Sequence, residues 1–418
     1  MPETLNVYFK NILAGYLIYD KGLLSFQYST EYLSNRDNMP LSASMPLTED
    51  VFDDKVTKPF FDGLLPEDTA RVQIARILKT DSRNTFALLK GIGADCAGAI
   101  SIQPQNAQIS NEPQPEYRYA SDDDAYDILN SLKTRPLYIG DDDFRISGSG
   151  AQDKLIACII DNKLALPLNG TPSTHIIKPN IEGYQDTVFN ELFCMKLAKS
   201  CGLNTPECFI KTIKDKSFYV VERYDREQIN GLWTRIHQED FCQILNILPE
   251  NKYESDGGPN LASCFELLNK ISAPASSKIA FIDLIIFNYL IGNGDAHAKN
   301  FSILYKNNTP ELAPCYDLMC TAILAPHYDK HKMAMKLSAS KYYMNDIRRE
   351  NFEKLSTISG YRSDFILKRL DTLSSKILTK AKELAEILNS NPNTQSDIYY
   401  DIIKIIEKHV SMTNKYNI

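Results

Sequence analysis

The chain has 418 residues, 43% hydrophobic and 24% charged, with a formal net charge of -7 at pH 7. This is an ordinary globular composition, long enough for two or three lobes with their own cores, and its acidic balance argues against a broad basic surface that binds nucleic acid unaided. No apolar run reaches bilayer-spanning length, and Met1-Pro-Glu-Thr4 lacks the basic and apolar regions of a signal peptide, so a cytoplasmic protein without membrane contact is expected.

Residues 1–105 read as a β-rich N-terminal module. Leu5 to Phe9 and Tyr16 to Tyr19 are β-prone runs around an Ala14-Gly15 break, and Asp20-Lys21-Gly22 turns into Leu23 to Tyr28, which predicts a separate antiparallel meander. Phe60-Phe-Asp-Gly-Leu-Leu-Pro66 feeds a helical pattern through Leu78. A second helix from Phe86 ends at Gly91 and Gly93, which read as helix termination rather than a nucleotide loop, ahead of a strand over Ala99 to Ile102. Residues 106–143 are expected to be linker and exposed loops. The stretch around Pro104, Pro113 and Pro115 is polar, and the acidic runs 122–124 and 141–143 read as solvated rather than metal-binding. The nine cysteines, without any C-x-x-C pair, suit reduced and buried thiols.

Residues 144–235 carry a Gly-rich loop, Arg145-Ile-Ser-Gly-Ser-Gly-Ala-Gln-Asp-Lys154. Ser147, Gly148, Ser149, Gly150, Ala151 and Gln152 leave backbone N–H groups open to phosphate oxygens, and Lys154 adds a cation. Alone, the loop fits a plain hairpin turn equally well. Leu155 to Ile160 and Leu164 to Leu168 then predict a hairpin about Asp161-Asn162, and His175-Ile-Ile-Lys-Pro179 a strand bearing Lys178. A helix over Thr187 to Ser200 carries Glu191, placed to pair with Lys178 as the lysine–glutamate pair of kinases does; the plainer reading is two surface charges. Phe218 to Tyr224 reads as a buried strand whose end, Glu222, Arg223 and Tyr224, forms a hinge for adenine.

In residues 236–418, an apolar run ends in Ile291-Gly-Asn-Gly-Asp-Ala-His-Ala-Lys-Asn-Phe301. Asp295 and Asn300 stand five apart, the offset of a kinase catalytic loop in which Asp accepts the hydroxyl proton and Asn binds magnesium. Asp317, in Tyr316-Asp-Leu318, is the second metal carboxylate, and His297 and Lys299 are assigned to the nucleotide. D-x-x-x-x-N by itself is common. His327 and His331 have metal-binding spacing but read as a solvated loop. Phe365, Ile366, Leu370, Leu373, Ile377, Ala381, Leu384 and Leu388 recur at helical spacing behind Ser363 as N-cap, a core helix rather than a membrane-surface one, and a last helix spans about 397–410. In order, these signals spell an α+β, two-lobed, protein-kinase-like phosphotransferase using ATP and Mg2+. The set does not encode the acceptor, so a lipid or other small-molecule kinase is the alternative.

Ser147-Gly-Ser-Gly-Ala-Gln-Asp-Lys154, Thr174-His-Ile-Ile-Lys-Pro179, Val221-Glu-Arg-Tyr-Asp-Arg226, Gln238-Glu-Asp240, Lys252-Tyr-Glu-Ser-Asp-Gly-Gly258, Asn293-Gly-Asp-Ala-His-Ala-Lys-Asn300 and Tyr316-Asp-Leu318 together resemble the HipA family of bacterial toxin kinases. Leu64-Leu-Pro-Glu67 and Gly93-Ala-Asp-Cys-Ala-Gly98 resemble that family's N-terminal module. The resemblance implies a serine/threonine protein kinase of a toxin–antitoxin pair, neutralised by a HipB-like helix-turn-helix antitoxin through which alone it meets DNA. It also implies an aminoacyl-tRNA synthetase as substrate, notably the glutamyl enzyme, with stalled translation, growth arrest and persistence. A regulatory autophosphorylation serine maps to Ser147. The second serine, Ser149, resembles the shorter HipT kinases, which act on the tryptophanyl enzyme, and is the alternative phosphosite. A non-catalytic scaffold that only binds the antitoxin is the remaining alternative.

Overall fold

In β1 (Glu3–Phe9), Leu5, Val7 and Phe9 are buried while the residues between them are only partly covered, the period of two of a half-buried strand. β2 (Ile12–Asp20), β3 (Leu23–Tyr28) and β4 (Ile100–Pro104) complete an antiparallel sheet of order β3-β2-β1-β4. Helices α1 (Thr30–Ser34), α2 (Asp54–Asp62), α3 (Asp68–Ile77) and α4 (Thr85–Ile92) fall between β3 and β4 in the chain. Asp53 and Asn84 cap α2 and α4 by accepting from the N–H groups of Val56 and Ala87. The computed structural model describes residues 2–107, 114–140, 144–271, 273–324, 331–338 and 342–414; Pro113, the acidic run 141–143 and His327 lie outside them.

The stretch expected to be linker holds β5 (Tyr117–Tyr119) and α5 (Asp122–Ser131). Ser121 and Asp124 form a reciprocal capping box, and Asp122, Asp123 and Asp124 occupy the first turn, where the helix N-terminus favours negative charge. Ala125, Ile128, Leu129 and Leu132 are buried on one face. The acidic run is therefore the start of a helix, hidden in sequence because its polar residues are the cap and its apolar stripe is only two turns long.

β6 (Leu155–Ile160), β7 (Lys163–Pro167), β8 (His175–Lys178), β9 (Cys208–Ile213) and β10 (Lys216–Glu222) join β5 in a six-stranded antiparallel sheet, order β5-β7-β6-β8-β10-β9. Alternation along β10 sends Phe218 and Val220 to one core and Tyr219 and Val221 to another. The first core also contains Leu5, Phe26, Phe61 and Ile100. The N-terminal module, expected to be separate, thus shares one apolar interior with the sheet that follows it.

The second core belongs to the helical part. α6 (Thr187–Ser200) packs on β9 and β10. A hairpin of β11 (Arg226–Ile229) and β12 (Leu232–Arg235) leads into β13 (His237–Asp240), α7 (Phe241–Ile244), α8 (Leu261–Lys270) and α9 (Ala275–Leu290). β14 (Ser302–Lys306) and β15 (Thr309–Leu312) form a small antiparallel sheet with β13. After the short α10 (Arg349–Glu353) and α11 (Ser356–Ser359), α12 (Ser363–Asn389) packs against α6, α9 and α13 (Ile398–Thr413). Its Ile366, Leu370, Leu373, Ile377 and Ala381 are buried, as core packing requires, and the cap position falls on Arg362 rather than Ser363. The nine cysteines are free and buried. Among the described residues no helix is long and apolar enough to cross a membrane.

Candidate active site

β8 sets Lys178 opposite Tyr219 of β10, deep between sheet and α6. Lys178 Nζ donates to Glu191 Oε1 at 2.7 Å and also to Asp317 Oδ1. Lys178 and Glu191 are 6% and 2% exposed, so the plain surface-charge reading does not hold. Burial opposes the ammonium charge, but Asp317 and Glu191 outweigh it and keep Lys178 protonated. Asp317 sits at φ +55°, and its side chain remains 46% exposed. Burial pushes its carboxyl up; Lys178 and Lys154 more than offset this and bring it to about 2.

The Gly-rich loop lies across the same cleft. Gly150 has φ +98°, and a Cβ there would lie 2.9 Å from Lys154 Nζ; at Gly148 it would lie 2.2 Å from Ile156 Cδ1. The left-handed backbone at Gly150 is the position that calls for glycine, whereas the contact at Gly148 is with the end of the Ile156 side chain. Lys154 donates to the Ser149 carbonyl, and desolvation with the neighbouring Lys178 charge pulls it down to about 8. Gln152 Nε2 donates to Pro179 O at 3.4 Å, and Ala151 is exposed. Ser147 is 1% exposed, its hydroxyl donating to Leu64 O at 2.6 Å, whereas Ser149 is half-buried.

α9 stops at Gly292, whose φ of +74° turns the chain into the Asp295–Asn300 loop. Asp295 N–H donates to Asn293 Oδ1 (3.0 Å), and Asn300 Nδ2 donates to Asp295 O (2.8 Å), so the oxygen through which Asn300 could hold a cation is Oδ1. Tyr253 donates its hydroxyl to Asp295 Oδ1. Desolvation by the surrounding cleft raises the Asp295 carboxyl above its ordinary value, with Tyr253 and Lys252 working against that rise. The His297 ring meets Tyr253 edge-on at 4.9 Å, burial drives it down to about 3, and its buried Nδ1 has no partner.

Two residues assigned to the nucleotide have their cationic groups engaged by protein partners. Lys299 Nζ donates to Asp240 Oδ2 at 2.7 Å and Gly63 O at 3.3 Å. The Arg223 guanidinium donates to Asp225, Ser173 Oγ and Cys96 O. It belongs to a charge cluster behind the hinge, where Asp95 accepts from Arg226 (2.9 Å), Arg235 (2.7 Å) and Ser173 N–H (3.1 Å), and Asp225 accepts from Gly98 N–H (2.7 Å). Burial raises the Asp95 carboxyl, and Arg226, Arg235 and Arg223 hold it well below the ordinary range. In the hinge itself the N–H groups of Glu222 and Arg223 donate to Glu207 O and Thr174 O, so neither is available to an adenine. The Tyr224 ring stacks on Tyr316.

The assigned residues, Arg223 and Lys299 included, line one cleft of about 970 Å³ running from the Gly-rich loop past Lys178 and Asp295 to Asp317. Asn300 and Asp317 offer only two oxygen donors, and among the described residues no group of three His, Cys, Asp or Glu could hold a metal. That donor set suits magnesium, which binds through one or two protein oxygens and completes its shell with water and phosphate. The two lysines and the close-approaching loop suit the phosphates. His331 instead lies 3.2 Å from Thr321 Oγ1. Tyr253, Lys252, Glu67 and Asp240 received no role from sequence; all lie in stretches that resembled the family, but nothing local to them signals their contacts.

A β-rich lobe and a helical lobe closing on an ion-paired strand lysine make this a protein-kinase-like fold. The HipA-like C-terminal domain model matches residues 146–410 and the HipA N-terminal domain model residues 5–103; the chain belongs to the HipA family. It is 38% identical over 412 residues to “Putative kinase Y4mE” of Sinorhizobium fredii, covering 96% of this chain and 95% of that one. It is 30% identical over 331 residues to the serine/threonine-protein kinase toxin HipA of Shewanella oneidensis, covering 76% and 75%. The structure of the Shewanella oneidensis HipA, HipB and operator DNA complex superposes with a TM-score of 0.84 at 25% identity, over 98% of this chain and 97% of that one.

Proposed function

We propose that this protein is a serine/threonine protein kinase that transfers the ATP γ-phosphate to a protein hydroxyl as the toxin of a toxin–antitoxin pair. The observation that carries the reading is Lys178, buried between Glu191 and Asp317 in the cleft that also holds Asp295 and Asn300. Asp295 takes the proton of the acceptor hydroxyl, and its raised pKa makes it the stronger proton acceptor. Lys178, Lys154 and the loop Ser147–Gln152 orient the phosphates, while Asn300 and Asp317 hold the cation. When bound, Mg-ATP supplies the phosphoryl group and the metal charge that stabilises its transfer.

A HipB-like antitoxin is supported by the relative's complex with HipB and operator DNA, and the net charge of -7 suits a basic partner that makes the DNA contacts. An aminoacyl-tRNA synthetase as target, with growth arrest and persistence as outcome, rests on the family resemblance. So does autophosphorylation of Ser147 or Ser149, which places about -1.5 to -2 charges against the nucleotide's own phosphates. Because Ser147 is buried on Leu64 O, its modification requires the loop to leave the cleft.

The test is incubation with Mg-ATP and a bacterial lysate, wild type against Asp295→Asn, followed by phosphopeptide mapping. New phosphoserine or phosphothreonine on a synthetase, absent with the variant, is expected. Label confined to small molecules would favour a metabolite kinase, and no ATP turnover would favour a binding scaffold.

A further inference from the structure

Glu67 lies in the N-terminal module, at the start of α3, yet it touches both sides of the catalytic cleft. Its N–H donates to Gly150 O at 3.2 Å, Pro66 pairs with Gly150 in a parallel bridge, and Leu64 O accepts from Ser147 Oγ. The backbone of Leu64–Glu67 is therefore a support beneath the Gly-rich loop. The side chain goes to the helical lobe instead. Oε2 accepts from Lys252 Nζ at 2.6 Å, and Oε1, which has no hydrogen-bond partner, lies 3.7 Å from Lys299 Nζ.

Both lysines lead to Asp295. Lys252 directly precedes Tyr253, which donates to Asp295 Oδ1. Lys299 sits within the Asp295–Asn300 loop and is tied to Asp240 and Gly63 O. Glu67 is 8% exposed. A buried carboxylate is tolerated only when paired, and here both cations come from the opposite lobe, on either side of the proposed base.

We propose that Glu67 is a positioning residue for phosphoryl transfer: through Lys252 it sets Tyr253 against Asp295, so the N-terminal module completes the geometry of a site to which it contributes no reacting group. This rests on the phosphotransferase reading above. Because the Glu67 N–H holds Gly150 whatever the side chain, a change of side chain should act on turnover and leave nucleotide affinity alone.

The full-length protein is compared as wild type, Asp295→Asn, Glu67→Gln, Glu67→Asp, Lys252→Gln, Tyr253→Phe and the double variant Glu67→Gln with Tyr253→Phe. ADP release is followed with Mg-ATP and dephosphorylated casein, alongside thermal unfolding. Glu67→Gln is expected to lower kcat roughly 10- to 100-fold, the scale of a misplaced reacting group, with KM for ATP within about twofold, and Glu67→Asp to recover part of the loss. The double variant should lose less than the product of the two single losses, since both act through one contact. Lys252→Gln breaks the same link from the other lobe and decides the matter if Glu67→Gln does not fold. If kcat stays within about twofold in folded Glu67→Gln and Lys252→Gln while Asp295→Asn is inactive, or if the two losses simply multiply, the inference is overturned and the kinase reading stands. If wild type and Asp295→Asn release ADP alike, the kinase reading itself fails.

Discussion

The Asp95 cluster behind the hinge and the Lys178 cluster in the cleft are both made of buried carboxylates and cations, yet their bonding ends differently. Around Asp95 and Asp225, the side chains of Arg223, Arg226 and Arg235 are 0–5% exposed, and all three guanidinium groups donate to these carboxylates or to backbone carbonyls. In the cleft, Asp317 is 46% and Asp295 52% exposed, and His297 Nδ1 and Glu67 Oε1 have no partner. Charges whose bonds close on one another tie the N-terminal module to the hinge; charges left with open positions are where a ligand's charge can be received. Changes in the first cluster should therefore cost stability, and changes in the second, activity.

The largest expected effect is on activity. Asp295→Asn should lower phosphoryl transfer by roughly 10²- to 10⁴-fold, the usual contribution of a positioned base, with the unfolding midpoint unchanged; substantial turnover in the folded variant would remove Asp295 from the mechanism. Next, Asp317→Ala should weaken Mg-ATP by on the order of 100-fold, since the cation loses its principal counter-charge. Calorimetry with and without Mg2+ reads this, and unchanged affinity would refute the assignment.

The mirror experiment is Asp95→Asn, which leaves three arginines short of a counter-charge. It should cost about 3–5 kcal/mol by denaturant titration, while the folded fraction keeps its ATP affinity. A normal stability with altered affinity would break the comparison. The wild-type carboxyl sits below its ordinary value of 3.8, so the stability it contributes is complete above that value and is lost as the pH falls below it toward the depressed folded value.

The smallest effect sharpens the comparison inside the cleft. Tyr253→Phe removes a hydrogen bond that lowers the Asp295 pKa, while Lys252 still lowers it and Asp317 and Glu67 still raise it. The acid limb of the kcat/KM profile should move to higher pH, because the base must be deprotonated to act. A limb that stays in place would show that this bond does not tune Asp295.

Arg223 and Lys299 show where local reading stops. Both line the cleft with the other members of their motifs, yet their cationic groups are engaged by protein partners. Their actual partners, Asp225 with Ser173 and Asp240 with Gly63 O, include contacts that only the packing of distant segments creates. Asp122–Asp124 differ: their capping chemistry is local, but the apolar stripe of Ala125, Ile128 and Leu129 behind them is too short to stand out beside a polar, proline-rich stretch.

What the sequence determined by itself were features with short physical range. β-prone runs and turn residues placed β1 to β3 and the strand of Lys178, helical spacing placed α12, and the five-residue offset put Asp295 and Asn300 in one loop, because a turn or a strand depends on neighbours in the chain. Tertiary structure alone decided which charges meet. Lys178 joins Asp317 across 139 positions and Glu67 joins Lys252 across 185. Those pairs exist because β10 is buried on both faces, giving Phe218 and Val220 to the core shared with the N-terminal module and Tyr219 and Val221 to the core of the helical part, and that burial, rather than any local pattern, sets the lobes against each other.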